Sequence, residues 1–466
     1  MRLIHLLAAA VCIGSASLPA RAEMTQVERD MFVRRTCELA IWGLPAVAIY
    51  DLELAIKRDA GAEPGTIAFM TAPMDSRHGM LTANDVTPYV FAAMPMNGEP
   101  HVIEVPAIGD KAQLFGSVLN AWQRPLVDVG PSGDDAGKGG RYLIVPPGYE
   151  GELPTEGYFV VQSDTAAAHF AFRPVAINGG QMADQSTYSK GVKVYPLSDP
   201  SAIWPYIDVY ENPVNTLPVY DYTFFTDLNT AMQRELPLER DYAMTGRLAS
   251  IGIVPGEPFN PSEETKEAML EGLQCAYDYM QHWFVTEGGS LKRLWDDRQH
   301  GTFNIPLEQA KIGLPFIDQT GLMIDKRAYA YFYVTYLPKK LGGGTYYISG
   351  LRDSRGELLN GKDTYRLNVP ADTPAEDFWS VIVYSMKTKG FIQNAERVGL
   401  ASPNMENMIQ NDDGSVDVYF APKAPDGKEA NWIPTGEDWF ILFRLYGPSE
   451  GWYESGWKLP DFEKLD

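Results

Sequence analysis

The sequence predicts an α+β protein with two β-sandwich domains, jelly-roll-like in character, and helical segments before and between them. Two stretches, residues 81–220 and 328–466, carry short apolar runs separated by Gly, Pro, Asn and Asp, a pattern typical of sandwiches. Two other stretches, residues 23–80 and 221–327, space their apolar residues as helices do. A chain of 466 residues is long enough for two or three domains with their own cores.

The first 22 residues are predicted to be a signal peptide. Arg2 provides a positive start, residues 3–18 form an apolar run too short to cross a bilayer, and Ala20-Arg21-Ala22 is a small-x-small cleavage site. We expect cleavage after Ala22 and a periplasmic or secreted protein. No later stretch stays apolar long enough to span a membrane, so no membrane insertion is expected.

The formal charge of −22 makes this an acidic protein. A nucleic-acid backbone or an anionic membrane surface would repel it, so neither is expected as a partner. The charge indicates solubility rather than a particular activity.

The first helical segment is expected to begin at Thr25, because Glu28 three residues later completes a capping box. Pro45 lacks an amide hydrogen and is expected to break or kink the helix, with a second short helix after it. In the second helical segment, Ser262 is predicted to cap a helix whose first turn holds Glu263 and Glu264.

Two cysteines remain after the predicted cleavage, Cys37 and Cys275, and both lie in predicted helices. Export permits a disulfide between them. Two buried free thiols are an equal alternative, because free cysteine is commonly a small core residue.

A glycine-rich stretch at residues 130–147, GPSGDDAGKGGRYLIVPP, raises the question of phosphate binding. A phosphate-binding loop needs the pattern GxxxxGK[ST], but Ser132 stands at its first glycine and Gly139 follows Lys138. The segment after it has a strand pattern rather than a helical one. We therefore predict a long hairpin connection between two strands.

Residues 81–96 contain polar residues where a core strand is expected. Asn84, Asp85 and Thr87 precede a strand that starts at Tyr89. One interpretation is an Asx-turn that opens the strand, with Asp85 bonded to nearby amides. The other is a ligand-binding cluster of Asn84, Asp85 and Tyr89 at the rim of a sandwich.

A second candidate cluster lies in residues 116–130. Asn120, Trp122 and Arg124 alternate, which would place them on one face of a strand. An amide, an indole and a cation could line an apolar pocket that holds a carboxylate or phosphate. They could equally be core residues with a charge at the rim.

The sequence predicts no metal site and no cofactor. Five histidines remain after cleavage, and no two have the HxH or HxxxH spacing that presents a metal pair. A cupin-like metal enzyme is the weakest hypothesis, since it requires scattered histidines to converge.

The chain resembles a known tandem of domains. The segments NDVTPY, LNAWQRPLVDVGP and RYLIVPPGYEG are similar to the bacterial DUF1254 family, whose usual DTxY reads DVTPY here. The segments FWSVIVYSM, DGSVDVYFAP and NWIPTGEDWFILFRLYG are similar to its companion DUF1214 domain. The resemblance implies two β-sandwich units, frequent export and self-association into a homo-oligomer, but no mechanism. It adds Trp432 and Arg444 of the second domain to the candidate ligand-binding residues.

Two function classes follow. The first is an exported hydrolase or lyase that acts on a small apolar or aromatic carboxylated molecule, with Asp85 as general base and Arg124 as anion clamp. The second is a non-catalytic periplasmic protein that binds a ligand or docks a partner, which needs only a pocket and a rim.

Overall fold

The computed structural model describes residues 24–235, 237–340 and 344–465. The predicted signal peptide lies outside the described residues. The first element is helix α1 (Gln26–Ala60), and its predicted capping box is confirmed. The amide of Glu28 donates to the Thr25 hydroxyl, and the Glu28 carboxylate accepts from the Thr25 amide at 2.8 Å.

Helix α1 runs unbroken through Pro45, so the predicted break is wrong. Pro45 cannot donate to the carbonyl of Ile41, but neighbouring segments bind the backbone around it. Arg327 donates to the carbonyl of Trp42 at 3.0 Å, and Gln123 donates to that of Pro45 at 3.0 Å. Tertiary contacts thus support the helix where the proline weakens it.

The expectation that no stretch after the signal peptide is long and apolar enough to cross a membrane is wrong for helix α1, but 89% of its most apolar window is buried inside the protein. It serves here as the central core helix. Helices that pack against α1 cover its apolar surface, which accounts for that composition.

The first domain is a sandwich of a six-stranded and a four-stranded sheet, as predicted. The six-stranded sheet has the order β10-β1-β2-β8-β4-β5, and the four-stranded sheet has the order β7-β6-β3-β9, with these bounds: β1 (Ile67–Phe69), β2 (Val90–Pro95), β3 (His101–Val105), β4 (Ala112–Asn120), β5 (Pro125–Val129), β6 (Gly140–Val145), β7 (Phe159–Gln162), β8 (Ala167–Ala176), β9 (Lys193–Pro196) and β10 (Tyr206–Asp208). A short helix, α2 (Met182–Ser189), precedes β9. Inward side chains of both sheets form one apolar core.

The helical region after it contains α3 (Thr223–Arg234), α4 (Tyr242–Leu248) and α5 (Glu263–Val285). Ser262 caps α5 by accepting from the amide of Thr265, as predicted. Cys37 of α1 and Cys275 of α5 form a disulfide, which decides between the two alternatives for these cysteines.

The second domain repeats the arrangement of the first. A six-stranded sheet has the order β11-β12-β15-β21-β17-β18, and a four-stranded sheet has the order β20-β19-β16-β22. The elements from residue 291 onward are β11 (Leu291–Arg293), β12 (Gly301–Phe303), α6 (Leu307–Lys311), β13 (Ile317–Asp318), β14 (Gly321–Leu322), α7 (Ile324–Tyr331), β15 (Thr345–Gly350), β16 (Thr364–Val369), β17 (Ala375–Ser385), β18 (Gly399–Ala401), β19 (Val416–Ala421), β20 (Trp432–Pro434), β21 (Trp439–Pro448) and β22 (Glu463–Leu465). Strands β1, β11 and β12 thus join the sandwiches from segments that were predicted to be helical.

The helices pack between the two sandwiches. Phe91 and Ala171 on the outer face of the first six-stranded sheet share one apolar core with α1, and so do Ile382 and Leu442 of the second. Because the side chains of a strand alternate between faces, each sheet serves two cores. The two domains are therefore joined by a common helical layer.

The glycine-rich connection at residues 130–147 is not a hairpin. It links β5 to β6, which belong to different sheets. Asp135 orders it by accepting from the amides of Gly130 at 2.6 Å and Gly139 at 3.0 Å and from the Tyr142 hydroxyl at 2.8 Å. The connection carries the chain from one face of the sandwich to the other.

The close crossing of α1 and α5 depends on Gly272. A Cβ atom there would lie 2.6 Å from Cβ of Thr36 and 2.8 Å from the carbonyl oxygen of Val33. We expect Gly272→Ala to lower the free energy of unfolding by about 1–3 kcal/mol, because both contacts are rigid. Gly246 of α4 has no atom within 4 Å of an added Cβ. We expect Gly246→Ala to raise the free energy of unfolding by about 0.5–1 kcal/mol, because alanine favours a helix more than glycine does. Urea unfolding measures both; equal effects would contradict the prediction.

Candidate functional site

The segment that precedes β2 is held between the two domains. The amide of Thr82 donates to the carbonyl of Lys389 at 2.8 Å, and the Thr82 hydroxyl donates to the carbonyl of Tyr333 at 2.8 Å. Arg444 of β21 donates to the carbonyl of Thr82 at 2.9 Å. These bonds place residues 82–89 of the first domain against the second domain.

Arg444 is buried, with 2% of its surface exposed. Its Nη2 donates to the carbonyls of Thr82 and Ala83 at 2.9 and 3.2 Å and to the hydroxyl of Tyr384 at 2.7 Å. Tyr384 in turn donates to the carbonyl of Ala83 at 2.5 Å. Nε and Nη1 of Arg444 have no hydrogen-bond partner among the described residues, so three of the five N–H groups of the guanidinium are left for another group.

A second guanidinium, that of Arg173, faces the same space. Strand β8 carries Arg173 next to Phe172, which pairs with Val90 of β2, so Arg173 lies beside Tyr89. Arg173 is partly exposed and makes neither an ion pair nor a side-chain hydrogen bond within the described parts of the chain. Arg173 and Arg444 both interact electrostatically with Tyr89, Tyr347 and Tyr446 and with each other.

We call this set the arginine–tyrosine site: Arg173, Arg444, Asp85, Tyr89, Tyr336, Tyr347 and Tyr446. Two of its hydroxyls, those of Tyr336 and Tyr446, are also buried without a partner in the described chain. Burial raises the pKa of Tyr446 to about 12, so its hydroxyl is neutral and can donate or accept. Tyr336 adopts a left-handed φ of 56°, which is rare for a bulky residue and is often found at functional sites.

Asp85 supplies the one carboxyl group of the site. Burial raises its pKa to about 6, although the charge of Arg444 lowers it in part. Oδ1 has no partner among the residues that the structure describes, and Oδ2 lies so close to Gly399 that a Cβ there would be 2.7 Å away. The carboxyl can therefore gain or lose a proton near neutral pH.

Asn84 has a structural role beside the site. Its Oδ1 accepts from the amide of Val86 at 3.0 Å, and its Nδ2 donates to the hydroxyl of Thr87 at 2.9 Å. The Asx-turn that the sequence predicts is thus made by Asn84, which leaves Asp85 free. Of the predicted residues, Asp85, Tyr89 and Arg444 come together, and Asn84 shapes their segment.

Asn120 and Arg124 lie elsewhere, in the turn between β4 and β5. Asn120 accepts from the amides of Trp122 and Arg124 at 2.9 and 2.8 Å and donates to Asp164 at 2.6 Å. Arg124 pairs with Asp164 at 3.5 Å. Because β4 ends at Asn120, the three residues do not share a strand face as predicted.

Trp122 and Trp432 also lie apart from the arginine–tyrosine site. Trp122 is buried among the helices, with its ring centroid 4.7 Å from that of Trp42. Trp432 begins β20 and donates its indole N–H to the carbonyl of Ala421 at 2.9 Å. Neither indole therefore contributes to the arginine–tyrosine site.

Three residues of this region were missed by the sequence interpretation: Arg173, Tyr336 and Tyr347. The sequence held a sign of Arg173, because it interrupts the apolar strand AAHFAFRPVA. It held none of the two tyrosines, since tyrosine is an ordinary residue at half-buried positions. Within the described residues, no three His, Cys, Asp or Glu side chains converge as metal ligands would.

The two tyrosines Tyr384 and Tyr446 form a matched pair for a test. Tyr384→Phe removes two hydrogen bonds and should lower the free energy of unfolding by about 1–3 kcal/mol. Tyr446→Phe removes a buried hydroxyl without a partner in the described chain. It should therefore change the free energy of unfolding by less than about 0.5 kcal/mol, or raise that free energy. Denaturant unfolding of both variants checks this; a larger loss in Tyr446→Phe would contradict it.

Comparison with known proteins gives a family and a fold. Residues 64–196 match the family described as a protein of unknown function (DUF1254), and residues 344–450 match the protein of unknown function (DUF1214). The VPA0106 protein of Vibrio parahaemolyticus has a similar crystal structure, with a TM-score of 0.55 at 16% identity over 93% of this chain and 100% of that chain. An uncharacterised protein of Burkholderia cenocepacia scores 0.41 at 11% identity over 94% and 96%.

No curated protein matches the sequence. The likeness to VPA0106 supports the α+β fold with several sheets and does not carry an activity. The two domain matches stand in tandem, in the order predicted from the sequence. The chain therefore belongs to the family of proteins with a DUF1254 domain followed by a DUF1214 domain.

Proposed function

We propose that this protein binds a small carboxylated molecule with an apolar or aromatic body at the arginine–tyrosine site. One observation carries the proposal: Arg173 and Arg444 converge between the domains, and no carboxylate of the described residues lies within ion-pair distance of either. Arg444 is buried and Arg173 is partly exposed. A cation shielded from water is ordinarily paired, because an isolated charge there is costly. A bound anion would satisfy both.

The donors favour a carboxylate. A guanidinium presents parallel N–H groups that match two carboxylate oxygens, and Arg173 has such groups free because it makes no side-chain hydrogen bond within the described chain. Nε and Nη1 of Arg444, which have no partner in the described chain, can each add a single hydrogen bond. With Asp85 ionised, the two arginines leave one net positive charge, which suits a monoanion. The rings of Tyr89, Tyr347 and Tyr446 supply apolar surface for the body of the ligand.

Exchange of Arg173 for Gln tests the site directly. We expect Arg173→Gln to weaken the binding of small organic acids, with benzoate as first probe, by about 10- to 100-fold, because a charge-assisted hydrogen bond is lost. Arg124→Gln is the matched control, since Arg124 already pairs with Asp164. Isothermal titration calorimetry measures both.

Equal affinity of Arg173→Gln and the wild type for these acids would contradict the proposal. Loss of binding in Arg124→Gln alone would instead place the anion at the β4–β5 turn.

A second candidate is a hydrolase or lyase in which Asp85 is the general base. The observation in its favour is the raised pKa of Asp85 together with the unpartnered Oδ1. A carboxylate with a pKa near 6 is mostly ionised at pH 7, so it can accept a proton from a substrate and release that proton afterwards. Asp85 borders the same space as the arginines, so binding and turnover would use one site.

Binding should depend on pH through Asp85. Above pH 6 the ionised carboxylate repels an anionic ligand, and below pH 6 the neutral form does not. We therefore expect the affinity for benzoate to fall by about tenfold from pH 5 to pH 8 in the wild type. Asp85→Asn, which is neutral throughout, should show little change.

Titration calorimetry across this range measures the effect. Parallel pH profiles of the wild type and Asp85→Asn would show that Asp85 does not face the ligand. Turnover of a bound acid that is lost in Asp85→Asn, with binding intact, would favour the second candidate.

We further propose that the protein is exported. Residues 1–22 have the features of a signal peptide, and the Cys37–Cys275 disulfide is of a kind that persists in oxidising compartments. We therefore place the bound acid in the periplasm or outside the cell. Self-association stays a prediction.

A further inference from the structure

We infer that the protein has a second ligand site, a cavity for an uncharged apolar molecule beside Trp122. The cavity has a volume of about 330 Å³. It lies between the β4–β5 turn and helices α3 and α4, and its lining includes Trp122, Gln233, Glu235, Asp241, Gly246 and Leu248. This volume is within the range of small-molecule sites.

The charged groups of the lining are already engaged. Glu235 accepts from the amides of Ala166 and Ala167 at 2.6 and 2.9 Å. Asp241 accepts from the indole N–H of Trp42 at 2.6 Å. Neither carboxylate needs a ligand cation.

The amide side chain of the lining is engaged as well. Gln233 donates to the carbonyl of Val254 at 2.8 Å and accepts from the amide of Gly256 at 2.7 Å. With these polar groups bonded within the protein, the remaining lining is mostly aliphatic and aromatic. An uncharged apolar molecule is the chemical class that such a surface accepts.

The indole of Trp122 is fixed in place, with 3% of the residue exposed. The ring of Trp42 packs against it at 4.7 Å, and the guanidinium of Arg327 lies 4.6 Å from its centroid. Arg327 is itself held by a hydrogen bond to the carbonyl of Trp42 at 3.0 Å. A preformed aromatic wall avoids the entropy cost of ordering on binding and favours a flat aromatic ligand.

The outer rim of the cavity is formed by α4. Tyr242 is 60% exposed there, and Gly246 is exposed with no atom within 4 Å of a Cβ added to it. A ligand can therefore enter past α4 without opening the core. A large side chain at Gly246 would narrow the entrance and leave the core unchanged.

Naphthalene, an uncharged aromatic hydrocarbon, is the probe, measured by equilibrium dialysis against the intact protein. We expect the wild type to bind it and Gly246→Phe to bind it at least about tenfold more weakly. Ala243→Phe adds the same side chain to an exposed position of α4 outside the cavity lining and is the control; its affinity should match the wild type. Should Gly246→Phe not fold, Leu248→Trp fills the cavity from its inner wall.

Benzoate separates the two sites. We expect excess benzoate not to displace naphthalene, and Gly246→Phe to keep the benzoate affinity of the wild type. Absence of naphthalene binding in the wild type, equal affinity in Gly246→Phe and Ala243→Phe, or displacement by benzoate would each overturn the inference. Benzoate binding at the arginine–tyrosine site is tested separately by Arg173→Gln, so the two proposals fail separately.

Discussion

The guanidinium of Arg444 makes the bond on which the arrangement of the two domains around the site depends. It reaches across 362 positions of sequence to the carbonyl of Thr82 and, with Tyr384, fixes the segment that carries Asp85 and Tyr89. A charged donor to buried carbonyls is among the stronger hydrogen bonds in proteins. Together with the bonds of Thr82 to Lys389 and Tyr333, it fixes the polar residues of the first domain relative to those of the second.

Most of the N–H groups of the same guanidinium have no partner in the described chain, which links stability to function. Nη2 holds the first domain, while Nε and Nη1 have no partner in the described chain. Arg173 adds a second cation close by. Two like charges close together are unfavourable, and the carboxyl of Asp85 can offset only one of them, so the remaining charge is itself an argument for an anionic ligand.

The two sites differ in whether their polar groups are already hydrogen-bonded within the protein. The arginine–tyrosine site leaves donors and hydroxyls free, whereas the cavity beside Trp122 has its carboxylates and amide bonded within the protein. Free donors select for a charged ligand, and a satisfied lining selects for an apolar one. Trp122 was predicted to join a carboxylate site, but the turn at Asn120 directs it into the helical layer instead.

The sequence by itself determined the α+β class, the capping of α1 and α5 and the two sandwich domains, because these follow from local residue chemistry and from periods of two and 3.6 residues. It also pointed to Asp85, Tyr89 and Arg444 as residues of interest. Only the tertiary structure decided that these three meet, that Arg173 joins them, that α1 continues through Pro45 and that Arg124 pairs with Asp164. Each of those outcomes depends on contacts between distant segments, and a local pattern carries no information about which distant group will lie opposite.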